Sequence, residues 1–304
     1  MRNEKETAAS RVSRLLEYME RVGEIRLGEI AALLGVSAVT AGHDAAALRA
    51  CPWVTFGREF VCETERDRKL RLSPALTLCV LSVERSRIRT MRFFPATGEI
   101  TRSSYVLCDA ISEEEALSAT LAQVLGVLRT DAETSPLIGV MICGDVTLPA
   151  EISVGLASVP IEERDTLTVE GLAREYGEES VLYLRGGELP TMVYVERGIP
   201  LANVRPSVAL KQEWPTEMGA RVRAMVKHTS ELLSVLSADR LVVEADGGAQ
   251  ALTDALLREA EAHGVVLPTV ESVAPLSLAE REMLSHLRYR LAEMILREYK
   301  EKNS

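Results

Sequence analysis

The 304-residue sequence predicts an α/β protein, with an N-terminal winged helix-turn-helix followed by a two-lobed body. Three observations predict this class. Residues 25–48, IRLGEIAALLGVSAVTAGHDAAAL, read as a short helix, a turn at Gly35-Val36-Ser37 and a second helix. Residues 53–62, WVTFGREFVC, alternate aromatic or β-branched side chains around Gly57-Arg58, as a hairpin would in the place of a wing. From Leu72 onward the pattern runs βββαβ(α) and then βββαβαβα, the mark of a duplicated fold with a ligand cleft between its lobes.

Each element has a local reason. In residues 10–22, Val12, Leu15, Leu16 and Met19 fall on one helical face. In the helix-turn-helix, Gly35 can adopt positive φ and Ser37 is a natural N-cap. Ile30, Leu33, Leu34, Val36, Val39 and Leu48 are placed to bury the two helices against each other. The charged run 63–71, ETERDRKLR, reads as a solvated linker or helix end. Strands are expected at 75–83, 87–94 and 100–107, with Pro95-Ala96-Thr97-Gly98 turning the chain between the last two. A helix over 112–129 and a buried strand over 136–143 complete the first lobe, followed by a short helix at 169–176. The second lobe has strands at 180–184, 191–196 and 200–204, and then a helix at 216–236. It ends with a strand at 240–245, a helix at 249–263, a strand at 265–270 and a closing helix at 278–300. The expected domains are 1–70 and 71–304, the latter split into lobes at about 71–177 and 178–304.

The net charge of −10 argues against a general binder of nucleic acid or anionic membrane. Residues 1–70 hold 11 Lys/Arg and 11 Asp/Glu, so the whole excess lies in the body. A neutral N-terminal module on an acidic body suits a small DNA reader. The five cysteines (51, 62, 79, 108 and 143) form no CxxC pair, so they read as small buried apolar residues, with neither zinc nor a disulfide framework. The polar N-terminus lacks a signal-peptide core, and the longest apolar run (72–83) contains a proline and is too short to span a bilayer. The expectation is a cytoplasmic protein with no membrane partner.

Several fragments of the body resemble the ROK family (repressor, open reading frame, kinase) of the actin/sugar-kinase ATPase fold. Residues 78–100 follow that family's opening three-strand cadence, and IGVMICGDV at 138–146 is similar to the strand and loop beside its sugar. VLYLRGGELPTMVYVERG at 181–198 is similar to the strand, Gly-rich loop and strand of its second lobe, and LVVEADGG at 241–248 to its adenosine loop. The resemblance implies a body that either holds a sugar or sugar-phosphate effector near Gly144, Asp145, Gly186, Gly187, Asp246, Gly247 and Gly248 or simply mediates dimerisation, with a homodimer expected.

Departures from the family pattern imply that the body is a pseudokinase, without catalytic residues, cofactor or metal. Where the family has a DxGGT-type phosphate loop, this chain has Ser82-Val83-Glu84-Arg85-Ser86. The second phosphate loop keeps two glycines in Arg185-Gly186-Gly187-Glu188, and no Asn-Asp pair precedes Val181 to act as general base. An active sugar kinase is the remote alternative. Glu244 and Asp246 alternate on one strand, without a third acid to complete a metal site. The closing helix spaces Leu284, Leu287, Leu291, Met294 and Ile295 for packing on its own lobe, with a dimer seam as the lesser reading.

The N-terminal module resembles the DeoR-type winged helix, whose recognition stretch runs Thr-Ile-Arg-Arg-Asp-Leu. Here it is Thr40-Ala41-Gly42-His43-Asp44-Ala45, so both arginines are missing. Arginine supplies the commonest guanine contact, so DNA binding is expected to be weak or to need a dimer. The DNA contacts expected are Arg26, Ser37, Thr40, His43 and Arg58. The alternative is an interaction protein whose winged helix docks another protein.

Overall fold

A computed structural model describes residues 6–56, 68–108, 112–130, 135–156, 159–186, 191–204, 217–245 and 249–303. The chain divides into two compact units, Met1–Glu163 with Met283–Ser304, and Arg164–Glu282.

The first unit opens with helix α1 (Ala8–Val22), capped by Thr7 and ended by Gly23 at φ 87°. Its apolar stripe, Val12, Leu15, Leu16 and Met19, is fully buried. After strand β1 (Ile25–Arg26) and a single 3₁₀ turn, α2 (Ile30–Leu34) ends at Gly35, with φ 67°. The turn then delivers Ser37 as the cap of α3 (Ala38–Arg49), where Ser37 Oγ accepts the Thr40 N–H at 3.2 Å. Ala41, Ala45 and Leu48 face inward at helical spacing. Val39 lies two residues from Ala41, on the opposite face, and is 73% exposed; the expectation that it buries between the helices is corrected.

The arrangement around residues 53–71 also differs from expectation. Strand β2 (Val54–Phe56) pairs antiparallel with β3 (Lys69–Leu72), which pairs on its other side with β1. The stretch read as a solvated linker therefore ends in the central strand of this small sheet. The reason is its alternation: Leu70 and Leu72 are buried while Arg71 faces out. The hairpin turn expected at Gly57-Arg58 lies outside the described residues.

One ion pair inside this module fixes α3. Arg11 on α1 grips Asp44 with two parallel bonds, Nε to Oδ2 at 2.7 Å and Nη2 to Oδ1 at 3.0 Å, and Asp44 is 2% exposed. The Asp44 carboxylate raises the Arg11 pKa above its ordinary value, chiefly through this hydrogen bond.

The rest of the unit is built on a five-stranded sheet of order β6-β5-β4-β7-β8. Its strands are β4 (Leu76–Val83), β5 (Arg87–Phe94), β6 (Glu99–Val106), β7 (Ser135–Ile142) and β8 (Ile161–Glu163). β4 is buried at every residue, as a central strand covered on both faces must be. One face packs Cys79, Leu81, Val83 and Ile88 against Leu117, Leu121, Val124 and Leu128 of α4 (Glu113–Thr130). On the other face a Cβ at Gly139 would stand 2.6 Å from Met283 Sδ, which marks how closely the closing helix lies on β7. The short α5 (Ala150–Gly155) and β8 were not legible as elements in the sequence.

The second unit repeats the strand order, β11-β10-β9-β12-β13. The strands are β9 (Ser180–Gly186), β10 (Thr191–Glu196), β11 (Ile199–Val204), β12 (Arg240–Ala245) and β13 (Thr269–Val273). In each of the two sheets an antiparallel meander of three precedes two parallel strands. β13 begins four residues later than the run expected at Val265. Leu182, Leu184 and Val243 pack on α7 (Met218–Leu233) and α8 (Ala249–Ala262). Val181, Tyr183 and Val242 pack against Leu172 and Tyr176, of α6 (Arg164–Glu175) and the turn after it. The closing helix α9 spans Ser277–Asn303, and its Leu284, Leu287, Leu291 and Ile295 are buried within the chain.

Of the cysteines, Cys51, Cys79 and Cys143 are buried as expected. Cys108 is exposed, in contrast to its reading as buried, and its thiol lies 3.6 Å from the Ala116 carbonyl.

Replacing Arg11 with Met removes the partner of a buried carboxylate. Chemical denaturation of Arg11→Met is expected to show a loss of about 3–5 kcal/mol, the usual cost of half a buried pair. A loss below about 1 kcal/mol, the range of exposed pairs, would contradict this assignment.

Candidate functional site

The DNA-contact residues expected from the sequence collect on α3 and its approach. Ser37 is the exposed N-cap, Thr40 is half-buried on the first turn and His43 is exposed one turn later. Their hydroxyls are mutually engaged, with Ser37 Oγ and Thr40 Oγ1 3.0 Å apart. Arg26 sits on β1, its guanidinium 3.9 Å from the Glu29 carboxylate and more than half exposed. Arg58 lies outside the described residues. Around Ser37, Thr40 and His43 the outer surface of α3 is completed by Ala38, Val39 and Gly42. A Cβ at Gly42 would meet nothing within 4 Å.

Of the residues expected to hold an effector, the described ones, Gly144, Asp145 and Gly186, lie at strand ends. Gly144, at φ 78°, and Asp145 follow β7 and are exposed. Asp145 borders a cavity of about 450 Å³ also lined by Glu84, Arg85, Glu113 and Glu114. Arg85 is held 3.2 Å from Glu113, so four carboxylates share this mouth with one guanidinium that is already paired. In the second unit Gly186 ends β9, directly opposite Ala245 on the parallel neighbour β12. Gly187, Asp246, Gly247 and Gly248 lie outside the described residues.

Glu244, just before that segment, is 1% exposed and ion-paired with Arg164 at the start of α6. Its Oε1 also accepts the N–H of Leu276 at 3.2 Å, where the chain adopts φ 64° before entering α9. Its charge, second to burial itself, raises the Tyr183 phenol well above the ordinary value. Glu244 is thus a structural anion held by a guanidinium and a backbone amide. Beside it Arg185 bridges Asp165, at 2.7 Å, and Thr191 Oγ1, at 2.6 Å.

A second buried pair was invisible to sequence reasoning because its partners stand 268 residues apart. Glu20 of α1 accepts from Arg288 Nε of α9 at 2.7 Å, with side chains 8% and 16% exposed. The pair lies against a cavity of about 480 Å³ bounded by Arg14, Glu17, Tyr18, Arg21, Leu33 and Phe93. Burial pushes the Glu20 carboxyl up to about 7, against the opposing pull of Arg288. The only advance signal was a charged residue beside the apolar stripe of α1.

Two of the histidines that the sequence left as capping or solvated residues, His228 and His263, make local contacts on their own helices. His228 Nδ1 lies 3.2 Å from Glu231, and His263 Nδ1 lies 2.9 Å from the Glu259 carbonyl. Among the described residues no helix is long and apolar enough to cross a membrane.

No protein-family model matches the chain, and no curated protein matches it. Solved structures do. A ROK family transcriptional regulator, a homologue of the Escherichia coli Mlc protein, matches with a TM-score of 0.64 at 10% identity. That match covers 95% of this chain and 98% of the regulator. An inorganic polyphosphate/ATP-glucomannokinase from Arthrobacter sp. strain KM matches at 0.49 and 14% identity, over 71% of this chain and 99% of that one. A ROK hexokinase from Thermus thermophilus matches at 0.43 and 14%, over 71% and 98%.

The two buried pairs can be tested separately. Because the folded-state pKa of Glu20 is raised, its contribution to stability is full below its ordinary value of 4.5 and is lost as pH rises through about 7. Thermal melts from pH 5 to pH 8 should therefore slope less for Glu20→Gln than for the parent, and equal slopes would refute the assignment. Glu244→Ala strands Arg164 in the interior and should lower stability by about 3–5 kcal/mol in chemical denaturation; a neutral outcome would refute its structural role. The chain has the mixed α/β fold seen in the structure of a ROK family transcriptional regulator.

Proposed function

We propose that this protein is a cytoplasmic transcriptional regulator. Residues 1–70 form a winged helix that reads operator DNA through α3, and residues 71–304 form a non-catalytic sugar-kinase-like body. The body senses a small sugar or sugar phosphate through the strand-end residues named above, or joins two chains so that two readers meet two half-sites. The observation that carries this reading is the likeness to a ROK family transcriptional regulator over 95% of the chain, a span that the body alone does not fill.

The local chemistry supports both halves of the proposal. A helix, a short strand, two further helices and two more strands of the same small antiparallel sheet follow the element order of a winged helix, and the Ser37-capped α3 keeps one face exposed. In the body, Glu84 and Arg85 occupy the β4–β5 turn, where a kinase of this fold needs glycine amides around phosphate. The adjoining cavity is lined by four carboxylates, of which Glu84 is held by Arg87 and Arg89 and Glu113 by Arg85, in place of the amides and cations that an ATP phosphate needs there. Incubation with ATP and a hexose panel is expected to give no turnover above background, and measurable sugar-dependent turnover would restore the kinase reading.

A second reading has two observations in its favour. The first two turns of α3 carry no Lys or Arg, and the whole chain bears −10, which suits a winged helix that docks protein. A duplex from the region upstream of the protein's own coding sequence separates the two. Saturable binding that weakens as salt rises supports the DNA reader, whereas no binding at low ionic strength supports the protein-docking module. The open space at Gly42 adds a gain-of-function test. Gly42→Arg restores a long cation to the outer face of α3 and should tighten duplex binding by about tenfold. No change would remove α3 from the interface.

A further inference from the structure

The outer face of α3 lacks the groups that read guanine, and what remains has a chemistry of its own. Ala41, Asp44, Ala45 and Leu48 turn inward, which leaves Ala38, Val39, Gly42 and His43 on the exposed side. Val39 is the one branched apolar side chain there, 73% exposed on the first turn. The Ser37 and Thr40 hydroxyls beside it pair with each other, and Ser37 Oγ also accepts the Thr40 N–H of the helix cap. Asp44, the only acid on the helix, is withdrawn into its ion pair with Arg11, so no carboxylate opposes a close approach. Alanine and glycine on either side keep the surface low enough for the helix to sit deep in a groove.

We propose that Val39 is the specificity-determining residue of this reader and that it recognises the 5-methyl group of thymine in the major groove. This inference rests on the DNA-binding reading and adds the class of sequence being read. Among the base-pair edges exposed in the major groove, thymine alone offers an apolar group, and apolar side chains recognise it by contact. His43, one turn on, has a single ring nitrogen to offer a purine N7, so it adds orientation without selecting guanine as a bidentate arginine does. The favoured operator is therefore one whose half-sites place thymine under the first turn of α3.

Selection from a randomised duplex library with the full chain supplies the probe, which is then remade with deoxyuridine in place of each thymidine. Each methyl group contacted by Val39 should account for about a fourfold loss of affinity on this replacement, the scale of one buried carbon. Val39→Ala, an exposed substitution that leaves the core of the module untouched, should bind the two duplexes equally while keeping the parent's melting temperature. If the parent binds both duplexes equally, the thymine assignment is overturned and the DNA reader stands. If no duplex is enriched and none is bound at low salt, the DNA reading fails and the assignment falls with it. A loss on deoxyuridine replacement that persists in Val39→Ala would overturn the role of Val39 by assigning the methyl contact to another residue.

Discussion

The bidentate pair between Arg11 and Asp44 is the constraint from which the rest of the N-terminal module follows. A carboxylate 2% exposed at the centre of α3 can be tolerated only against a cation held in fixed geometry, and the planar guanidinium of Arg11 supplies it. Fixing Asp44 inward fixes the rotation of α3 about its axis. Ala41, Ala45 and Leu48 then complete the core with α1, while Val39, Gly42 and His43 must face out. The same interaction removes the repulsion that an acid on this helix would otherwise set against a polyanion, because its charge is already neutralised within the module.

The body obeys a different constraint. Each of its sheets has a central strand buried on both faces, β4 in one unit and β9 in the other, which demands helices on both sides and glycines where a neighbouring helix closes in. Gly139 under Met283 and Gly171 against the Leu278 carbonyl are such places. In the unit Arg164–Glu282 the buried carboxylate of Glu244 is partnered by Arg164 and the Leu276 N–H. The two sheets repeat one strand order, and in the first of them a carboxylate, Glu84, stands at the β4–β5 turn and is held by Arg87 and Arg89.

Much of this was legible in the sequence, because period and punctuation act locally. The apolar stripe of α1, the Gly35 turn, the Ser37 cap and the strands β4, β5 and β10 could be read from alternation, helical spacing and turn residues. Failures came where tertiary context decides. β3 was hidden within a charged run because its only apolar residues are Leu70 and Leu72, and the four-residue error in β13 arose in a segment with little periodicity. The exposure of Val39 required knowing that Asp44 points inward, which in turn requires Arg11 from 33 residues away. Of the candidate site, the position of Ser37, Thr40 and His43 on one capped helix could be read directly. The ion pairs that orient these elements could not, since nothing in a linear pattern joins Glu20 to Arg288.

The most direct test is hydrogen–deuterium exchange on the full chain, with and without a duplex from the region upstream of its own coding sequence. The account predicts that the duplex slows exchange over the segment from Ser37 to Arg49, while the sheets of the body keep the rates of the free protein. Unchanged exchange across that segment under conditions where the duplex is bound would contradict it, because α3 would not be the element that meets DNA.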